Sequence, residues 1–485
     1  MTTTDGVTVV YRWRWAALFV VLAAEVMDLM DALITTIAGP TIVRDLGGGN
    51  TLIQWLSAGY TLAMATGLLL GGRLGDIFGR KRMFTIGMAG FTLFSLLCAT
   101  ATSPGLLITF RVLQGLFGAL LIPQGLGVIK EVFPPQEVGK AFGMFGPIMG
   151  LSAVGGPILA GWLVDADLFG LGWRAIFAIN IPIGLAALAF AQKFLPANKP
   201  QSGLRLDLTG TLIAGAAMFT LVYPLVQGRE SGWPAWAFGM IAVSLVLFAV
   251  FARVEFVRDR QGRPTLVRPS LFHKRAFTGG LLTGTAFFSA LMGVGLIFSL
   301  YVQLGLGFDP FKAGLASIPQ AVGMIAGFGL AQTAARAGRR MMLLGMTVVV
   351  AGLGTMAATI SIAGAGIGIW ALVPAGFIIG IGMGMSMAPF FDIVLAGVDE
   401  AESGSASGTL TSVQQIGGAL GVAVLGTVFF SQVTDRFARA GATQVGAFGG
   451  AAQVTLLVAC ALVAAAFGLT FLLPRRARED QPAAH

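Results

Sequence analysis

The chain alternates between long apolar stretches and short polar segments along nearly its whole length. We count fourteen runs of about 20 mostly apolar residues, which is the length that a helix needs to cross a bilayer. Their centres lie near residues 28, 62, 92, 118, 153, 184, 215, 245, 290, 327, 350, 381, 418 and 462. This pattern predicts an all-α membrane protein with fourteen transmembrane helices.

The polar segments between the runs carry unequal numbers of basic residues. If the N-terminus is cytoplasmic, the cytoplasmic segments hold 24 of the 31 Lys and Arg, the outer loops hold six, and Arg111 is left inside a run. Basic residues accumulate on the cytoplasmic side of membrane proteins. The bias therefore predicts that both termini are cytoplasmic, in a multi-pass protein of the inner (cytoplasmic) cell membrane.

Composition supports a membrane protein and argues against several other classes. The chain is 56% hydrophobic and only 11% charged, with a mean hydropathy of +0.83, whereas soluble domains carry roughly 25% charged residues. The basic residues form short clusters between apolar runs, so we interpret them as topology signals and expect no nucleic-acid partner. Two cysteines and two histidines, all far apart in the sequence, predict no metal site and no disulfide framework. We expect no cofactor and no enzymatic activity.

Two pairs of segments recur at nearly equal spacing. The stretch "GGRLGDIFGRKR" at 71–82 aligns with "LAQTAARAGRR" at 330–340 at an offset of 259, and "GGPILAG" at 155–161 aligns with "GGALGVA" at 417–423 at an offset of 262. Secondary transporters are often built from such repeats, with the substrate site at the interface between them. We predict six-helix bundles at 1–198 and 271–485, separated by two extra transmembrane helices and a cytoplasmic loop at 199–270.

The first apolar run contains three acids in the stretch "EVMDLMDALITTIAGP". Glu25, Asp28 and Asp31 are three residues apart, so on a helix they form one slanting stripe. A charged side chain in hydrocarbon costs several kcal/mol, so the stripe is expected to face a cavity. Burial and neighbouring negative charge both favour a protonated carboxyl group, so at least one could exchange a proton near neutral pH. The alternative is a polar stripe that only lines water or bonds a neighbouring helix.

Arg111 is the basic residue predicted to lie within the membrane, at a depth that overlaps that of Asp31. Contact between them is therefore plausible, and a nearby base would tune the acid. Gln114 lies three residues further on, on roughly the same helix face. A purely structural ion pair is the alternative.

Two glycine-containing segments are candidates for conformational gating. The stretch at 71–82 combines turn-forming glycines with an acid and a basic cluster, which can make ion pairs that differ between conformations. The stretch "GLSAVGGPILAGW" at 150–162 combines close-packing glycines with a proline. A topogenic loop and a kinked span are the alternatives. The gating candidates are Arg73, Gly75, Asp76, Gly79, Arg80, Lys81, Gly155, Gly156, Pro157 and Gly161.

Candidates for lining a drug-sized cavity are Trp55, Tyr60, Tyr301, Gln303, Phe390 and Phe391, although ordinary packing would also explain them.

These motifs resemble the major facilitator superfamily, and within it the fourteen-helix drug:proton antiporters. Arg73, Gly75, Asp76, Gly79, Arg80 and Lys81 are similar to loop motif A; Arg111, Gln114 and Gly115 to motif B; and Gly155, Gly156, Pro157 and Gly161 to the antiporter motif C. "MDALITTIAGP" resembles the family's first-helix pattern LDxTIVNVALP, with Thr36 in place of the usual Asn. "WRAIFAINIPIG" and "YVQLGLGFDPFKAGLASIP" resemble two later family patterns.

The resemblance implies two six-helix bundles that rock about a central site, with two extra helices between them. It implies that Asp31 exchanges protons and substrate and that Arg111 assists the proton step. It also implies that Asp76 and its basic neighbours stabilise the outward-open state, and that Pro157 and its glycines seal the bundle interface.

Taken together, the sequence predicts a monomeric exporter of lipophilic, cationic drugs that uses protons as its coupling ion. A dedicated exporter of one metabolite, self-made antibiotic or lipid is the second hypothesis. A membrane sensor or scaffold without transport activity is the third.

Overall fold

The computed structural model describes residues 11–134, 137, 141, 144–197, 206–228, 231–333, 338–395, 403–439 and 443–474. In these ranges the chain folds into long helices joined by short connections, and no strand occurs there. The helices are α1 (Arg14–Leu46), α2 (Gly49–Phe78), α3 (Arg80–Ala99), α4 (Pro104–Gly118), α5 (Leu121–Val132), α6 (Phe145–Asp165), α7 (Asn180–Phe194), α8 (Leu208–Gln227), α9 (Ala235–Arg260), α10 (Arg275–Leu300), α11 (Pro310–Thr333), α12 (Arg339–Ala363), α13 (Ile369–Leu395), α14 (Ser403–Phe437) and α15 (Gln444–Leu469).

Twelve helical stretches in the described ranges are long and apolar enough to cross a membrane. They coincide with twelve of the fourteen predicted runs, and α4 and α5 together form one of them. The other two runs fold as α1, with 33 residues, and α6, with 21 residues. The count of fourteen spans stays a prediction.

The first pair of repeated segments folds in the same way at both positions. Gly79 and Gly338 both have positive φ angles, of 94° and 50°, a conformation that glycine adopts at little cost. Each glycine is followed directly by a helix, α3 at Arg80 and α12 at Arg339. The offset found in the sequence therefore aligns equivalent turns of the fold.

The packing of the helices repeats with the same correspondence. Helix α1 packs on α6, and its counterpart α10 packs on α14. Helix α2 packs along α14, and its counterpart α11 packs along α6. The helices before α8 and those after α9 thus form two halves that exchange equivalent contacts. The predicted boundaries at residues 198 and 270 are not tested by this pattern.

The halves meet closely at the end of the molecule that carries the α1–α2 connection, which we call the first-loop end. Gln54 of α2 donates from Nε2 to the carbonyl oxygens of Val422 and Ala423 of α14, at 3.3 Å each. On the opposite side, a β-carbon on Gly161 of α6 would lie 2.3 Å from Cα of Phe311 at the start of α11. Glycine at position 161 therefore permits direct contact between the two helix backbones.

Helices α8 and α9 form a hairpin that leans on both halves. They pack on each other, and α8 also packs on α2 and on α14. Thr427 of α14 donates to the carbonyl oxygen of Leu225 at 2.7 Å. The ring of Tyr223 lies 5.7 Å from that of Trp55 of α2. The hairpin therefore covers one of the two seams between the halves.

We expect Gly161→Ala to weaken closure of the first-loop end, because the added methyl would overlap the backbone of α11. Such overpacking costs about 1–3 kcal/mol. Spin labels at Ala166 and Lys312 should report a longer distance in this variant. Gly329→Ala is the control, since a β-carbon at that position of α11 meets nothing within 4 Å among the described residues. Equal distances in both variants would contradict this account of the contact.

Candidate functional site

The acid stripe of α1 is buried inside the first half of the protein. Asp31 is 1% exposed, Asp28 is 5% exposed and Glu25 is 9% exposed. Buried charges are tolerated when other groups pair with them and supply hydrogen bonds. The partners of the three carboxyl groups differ sharply along the stripe.

Asp31 receives three side-chain donors. Arg111 of α4 forms an ion pair with it through Nη1. Gln114 donates from Nε2 to Oδ1 at 3.1 Å, and Asn180 of α7 donates from Nδ2 to the same oxygen at 2.7 Å. Both carboxylate oxygens are therefore satisfied by residues from other helices, so Asp31 links α1, α4 and α7.

The guanidinium of Arg111 is held on several sides. Its Nη1 donates to Oε1 of Gln114 at 2.8 Å, and its Nε donates to the carbonyl oxygen of Leu56 at 3.4 Å. Its central carbon lies 4.2 Å from the ring centre of Tyr60 and 5.6 Å from that of Phe177. Aromatic faces attract cations, more strongly in a desolvated site. This single base therefore stays charged and oriented although it is 1% exposed.

Asp28 has one side-chain donor in the described part of the chain. Tyr60 of α2 donates its hydroxyl proton to Oδ1. Helix α4 comes close at Gly118, where a β-carbon would lie 3.1 Å from Oδ1 of Asp28 and 3.3 Å from the hydroxyl of Tyr60. The aromatic ring of Tyr60 thus contacts Arg111 while its hydroxyl serves the second acid.

Glu25 ends the stripe with an unsatisfied oxygen. Its Oε1 is buried and accepts no hydrogen bond from the residues that the structure describes. A buried carboxylate oxygen without a donor is costly when ionised, so Glu25 is the least stabilised of the three as an anion. Among the described residues, the stripe therefore runs from a fully paired acid to a partly paired acid and then to an unpaired oxygen.

Sequence reasoning missed two polar residues of this network. Ser95 of α3 accepts from Nε2 of Gln114 at 2.8 Å and from Nδ2 of Asn180 at 3.3 Å. Both Ser95 and Asn180 are buried. The available signal was a polar residue within an apolar run, which is too common to single them out. Tyr60 was singled out, but only as a cavity candidate.

The predicted loop cluster at the opposite end of α2 makes contacts that join three helices. Asp76 pairs with Arg80 across Gly79 at 2.8 Å, and Nζ of Lys81 donates to the carbonyl oxygen of Gln192 of α7 at 2.6 Å. Arg73 lies half-buried on α2. The cluster therefore ties the α2–α3 turn to α7.

Gln124 of α5 is a further residue of this region that the sequence did not indicate. It donates from Nε2 to the carbonyl oxygen of Gly71 at 2.6 Å. A β-carbon on Gly75 would lie 1.7 Å from Oε1 of Gln124, and one on Gly127 would lie 1.2 Å from Nη1 of Arg80. Glycine at 75 and 127 thus leaves room for polar side chains from the facing helix.

At the first-loop end, α1 also binds the other half of the protein. Pro40 has no N–H to donate to the carbonyl oxygen of Thr36, one helical turn earlier. That oxygen accepts a hydrogen bond from Oγ of Ser299 in α10 at 3.1 Å. Gln303, in the π-helical turn that continues α10, donates to the carbonyl oxygen of Ile37 at 2.9 Å. The helix that carries the three acids is thereby bonded directly to α10.

The remaining cavity candidates lie in aromatic surroundings. Phe390 is buried and Phe391 half-buried on α13, with ring centres 5.3 Å apart. Tyr301 is 2% exposed, and its hydroxyl has no hydrogen-bond partner among the described residues. The ring of Trp55 lies at a tilt against that of Tyr223 of α8. Gly156 and Pro157 lie buried in α6, and a β-carbon on Gly156 would lie 3.3 Å from Leu33 of α1.

In the described residues no cluster of three or more His, Cys, Asp and Glu could hold a metal ion.

The family model of the Major Facilitator Superfamily matches residues 20–422. The chain belongs to the major facilitator superfamily. This confirms the resemblance found in the sequence and identifies the protein as a transporter rather than an enzyme.

Curated members of this superfamily match most of the chain. It is 47% identical to a "Probable actinorhodin transporter" of Streptomyces coelicolor over 87% of this chain and 73% of that protein. It is 32% identical to a "Tetracenomycin C resistance and export protein" of Streptomyces glaucescens over 87% of this chain and 77% of that protein. A "Multidrug resistance protein B homolog" of Mycobacterium tuberculosis is 32% identical over 85% and 76%. Such relatives support efflux as the direction of transport.

Solved structures support the fold at lower identity. The crystal structure of an auto-inhibited POT family peptide transporter matches with a TM-score of 0.67 and 15% identity, over 96% of this chain and 99% of that chain. At this identity the likeness concerns the major facilitator fold alone.

We expect Arg111→Met to lower the free energy of unfolding by about 3–5 kcal/mol, because it leaves the Asp31 carboxylate buried without its ion pair. Asp31→Asn added to Arg111→Met should recover part of this loss, since both charges are then absent. Thermal unfolding in detergent measures both effects. Arg174→Met is the control: its pair with Asp45 is 29% and 47% exposed, so the loss should be about 1 kcal/mol or less. A double variant less stable than Arg111→Met would argue against the pairing.

We expect Tyr60→Phe to lower the free energy of unfolding by about 1–3 kcal/mol, since Asp28 then loses its side-chain donor. Tyr223→Phe is the control, because its packing on Trp55 uses the ring and not the hydroxyl. The same unfolding measurement compares the two. An equal and small loss in both would mean that the Tyr60 hydroxyl contributes nothing to holding Asp28.

Proposed function

We propose that this protein is a proton-coupled exporter of lipophilic, cationic small molecules across the bacterial inner membrane, working by alternating access. The observation that carries the proposal is the charge imbalance around α1. Glu25, Asp28 and Asp31 are buried together with one base, Arg111. If all three acids were ionised, the region would carry an excess of two negative charges. Protons or a cationic substrate would remove that excess.

The three acids have different roles in this proposal. Asp31 is the carboxyl group whose proton is coupled to the conformational change, because protonation would break its ion pair with Arg111 and loosen the link among α1, α4 and α7. Asp28 and Glu25 have fewer donors and so are better able to meet a cation. Proton entry from outside displaces the substrate outward, and proton loss to the cytoplasm restores the negative site.

Helix α1 connects the three acids to the contacts between the two halves at the first-loop end. The carbonyl oxygens of Thr36 and Ile37 lie within two turns of Asp31 and bind Ser299 and Gln303 of α10. A shift of α1 that follows protonation of Asp31 would therefore strain contacts between the two halves. Gly161 would control closure of the same end, and Asp76 with Arg80 and Lys81 would control the opposite end.

The proposed topology has fourteen spans, made of the twelve apolar stretches together with α1 and α6. Both termini are then cytoplasmic, as the distribution of basic residues predicts. The first-loop end faces outward. The functional unit is a monomer, with the six spans before α8 (α4 and α5 counted as one) and the six after α9 acting as the two moving bundles.

The comparisons support a second candidate, a dedicated exporter of one antibiotic. Relatives named for the transport of actinorhodin and for tetracenomycin C resistance and export match most of this chain. Such a protein would share the fold and the α1 acids but would select its substrate by shape rather than by positive charge.

We expect ethidium-like cations to trigger proton movement through purified wild-type protein in liposomes that contain a pH dye. Asp31→Asn should abolish this flux, because its side chain can no longer bind and release a proton. The control is Asp259→Asn, which changes an exposed acid of α9 and should transport as the wild type does. Thermal unfolding verifies that each variant is folded.

Two outcomes would count against the proposal. Unchanged flux in folded Asp31→Asn would remove Asp31 from the coupling step. Absence of flux with every cation, together with transport of actinorhodin or tetracenomycin C, would favour the dedicated exporter.

A further inference from the structure

A second buried acid pair lies at the base of the α8–α9 hairpin, away from the α1 stripe. Asp207 caps the start of α8, and Glu255 lies in the last turns of α9. Asp207 is 3% exposed and Glu255 is 2% exposed. Neither residue belongs to the network of Asp31, and no step of the proposed transport cycle uses them.

One oxygen of each carboxyl group is satisfied. Oε2 of Glu255 accepts from the backbone N–H groups of Leu266 and Val267, at 2.7 and 3.0 Å. Oδ1 of Asp207 accepts from the N–H of Gly210 at 2.8 Å and lies 3.2 Å from Nη1 of Arg258.

The other oxygen of each carboxyl group has no donor among the described residues. In that part of the chain, Oε1 of Glu255 and Oδ2 of Asp207 are both buried without a hydrogen-bond partner. A β-carbon on Gly210 would lie 2.5 Å from the first and 2.6 Å from the second. The two unpaired oxygens therefore converge on one point above Gly210.

Two facing carboxylates out of water repel each other strongly unless a positive charge lies between them. Among the described residues, the charged group that contacts the pair is Arg258, which is bound to the far oxygen of Asp207 and so does not fill the gap. One positive charge is still needed to make the group of Asp207, Glu255 and Arg258 neutral.

A proton suits this gap better than a metal ion. The neighbouring backbone groups present N–H donors to Glu255, and such donors repel cations. Metal ions such as Mg²⁺ and Ca²⁺ need about six oxygen ligands, whereas two free carboxylate oxygens converge here. A single proton on one of these oxygens lets it donate a hydrogen bond to the other, so that one bond pairs both oxygens.

We propose that Asp207 and Glu255 form a proton-binding site in which one proton is shared between the two carboxyl groups. The site joins the residue that caps α8 to the last turns of α9, and so connects the start of the hairpin to its end. Leu266 and Val267, held by Glu255, belong to the same buried core as Leu271 and Phe277 of the second half. The shared proton thus stabilises the contact between the α9–α10 connection and the start of α8.

Thermal unfolding of the full-length protein in detergent, from about pH 6 to about pH 9, tests the proposal, because a folded state that holds an extra proton loses stability as pH rises. The midpoint of the wild type should fall across this range. Glu255→Gln and Asp207→Asn each supply an N–H in place of the proton, so both should be more stable than the wild type at the alkaline end and depend less on pH. The double variant places two N–H groups face to face and should be less stable than either single variant.

Trypsin cleavage after the exposed Arg260, where the α9–α10 connection begins, gives a second readout, because it reports on the connection itself. The ratio of the wild-type cleavage rate to that of Glu255→Gln should rise at alkaline pH, because loss of the shared proton frees the connection. Asp259→Asn is the control for both measurements, since this exposed acid of α9 should leave the wild-type pH dependence unchanged. Neither readout requires transport, so failure of the proposed export activity would leave this test intact.

Three outcomes would overturn the shared proton. The first is a wild-type midpoint that does not fall at alkaline pH. The second is a loss of stability in both single variants that matches the loss in the double variant. The third is a rise of the alkaline midpoint on addition of Mg²⁺ or Ca²⁺ in the wild type alone, which would assign the site to a cation instead.

Discussion

The ion pair between Asp31 and Arg111 is the interaction on which the first half of this protein depends. Neither charge would be stable alone at 1% exposure, and each draws further partners around it. Gln114, Asn180 and Ser95 complete the hydrogen bonds, while Tyr60 and Phe177 cover the guanidinium. Five helices, α1, α2, α3, α4 and α7, therefore meet at one buried charged centre. A polar network of this kind fixes how the helices are arranged, which apolar packing alone does less specifically.

Much of the fold could be predicted from the sequence because membrane helices are constrained so simply. Each needs one long apolar run, and the twelve stretches fall where the runs were predicted. The internal repeat could also be detected in the sequence. The turns at Gly79 and Gly338 need a positive φ that few other residues adopt, so glycine recurs at both positions. The motifs identified the superfamily, and the family match confirms that. Whether α1 and α6 are spans is a harder question, because three acids lower the apolar character of the first.

The candidate site was only partly predictable. The acids stood out because charge within an apolar run is rare, and the helix depths suggested that Asp31 could reach Arg111. The roles of Ser95, Asn180 and Gln124 depend on which helix faces which, and one sequence does not contain that information. Asp207 and Glu255 are 48 residues apart and become neighbours only when the hairpin closes. Polar residues near the ends of helices are too common for the sequence to pair them.

The α8–α9 hairpin gives the molecule a sidedness that the internal repeat would otherwise lack. It covers the seam between α2 and α14 and is bonded to both, whereas the equivalent seam between α6 and α11 is joined through glycine contacts between the helices themselves. Two halves tied along one edge cannot separate equally on both sides. They would rotate about an axis near α2 and α14, so that α6 and α11 undergo the larger displacement. A bulky substrate would then pass on the side away from the hairpin.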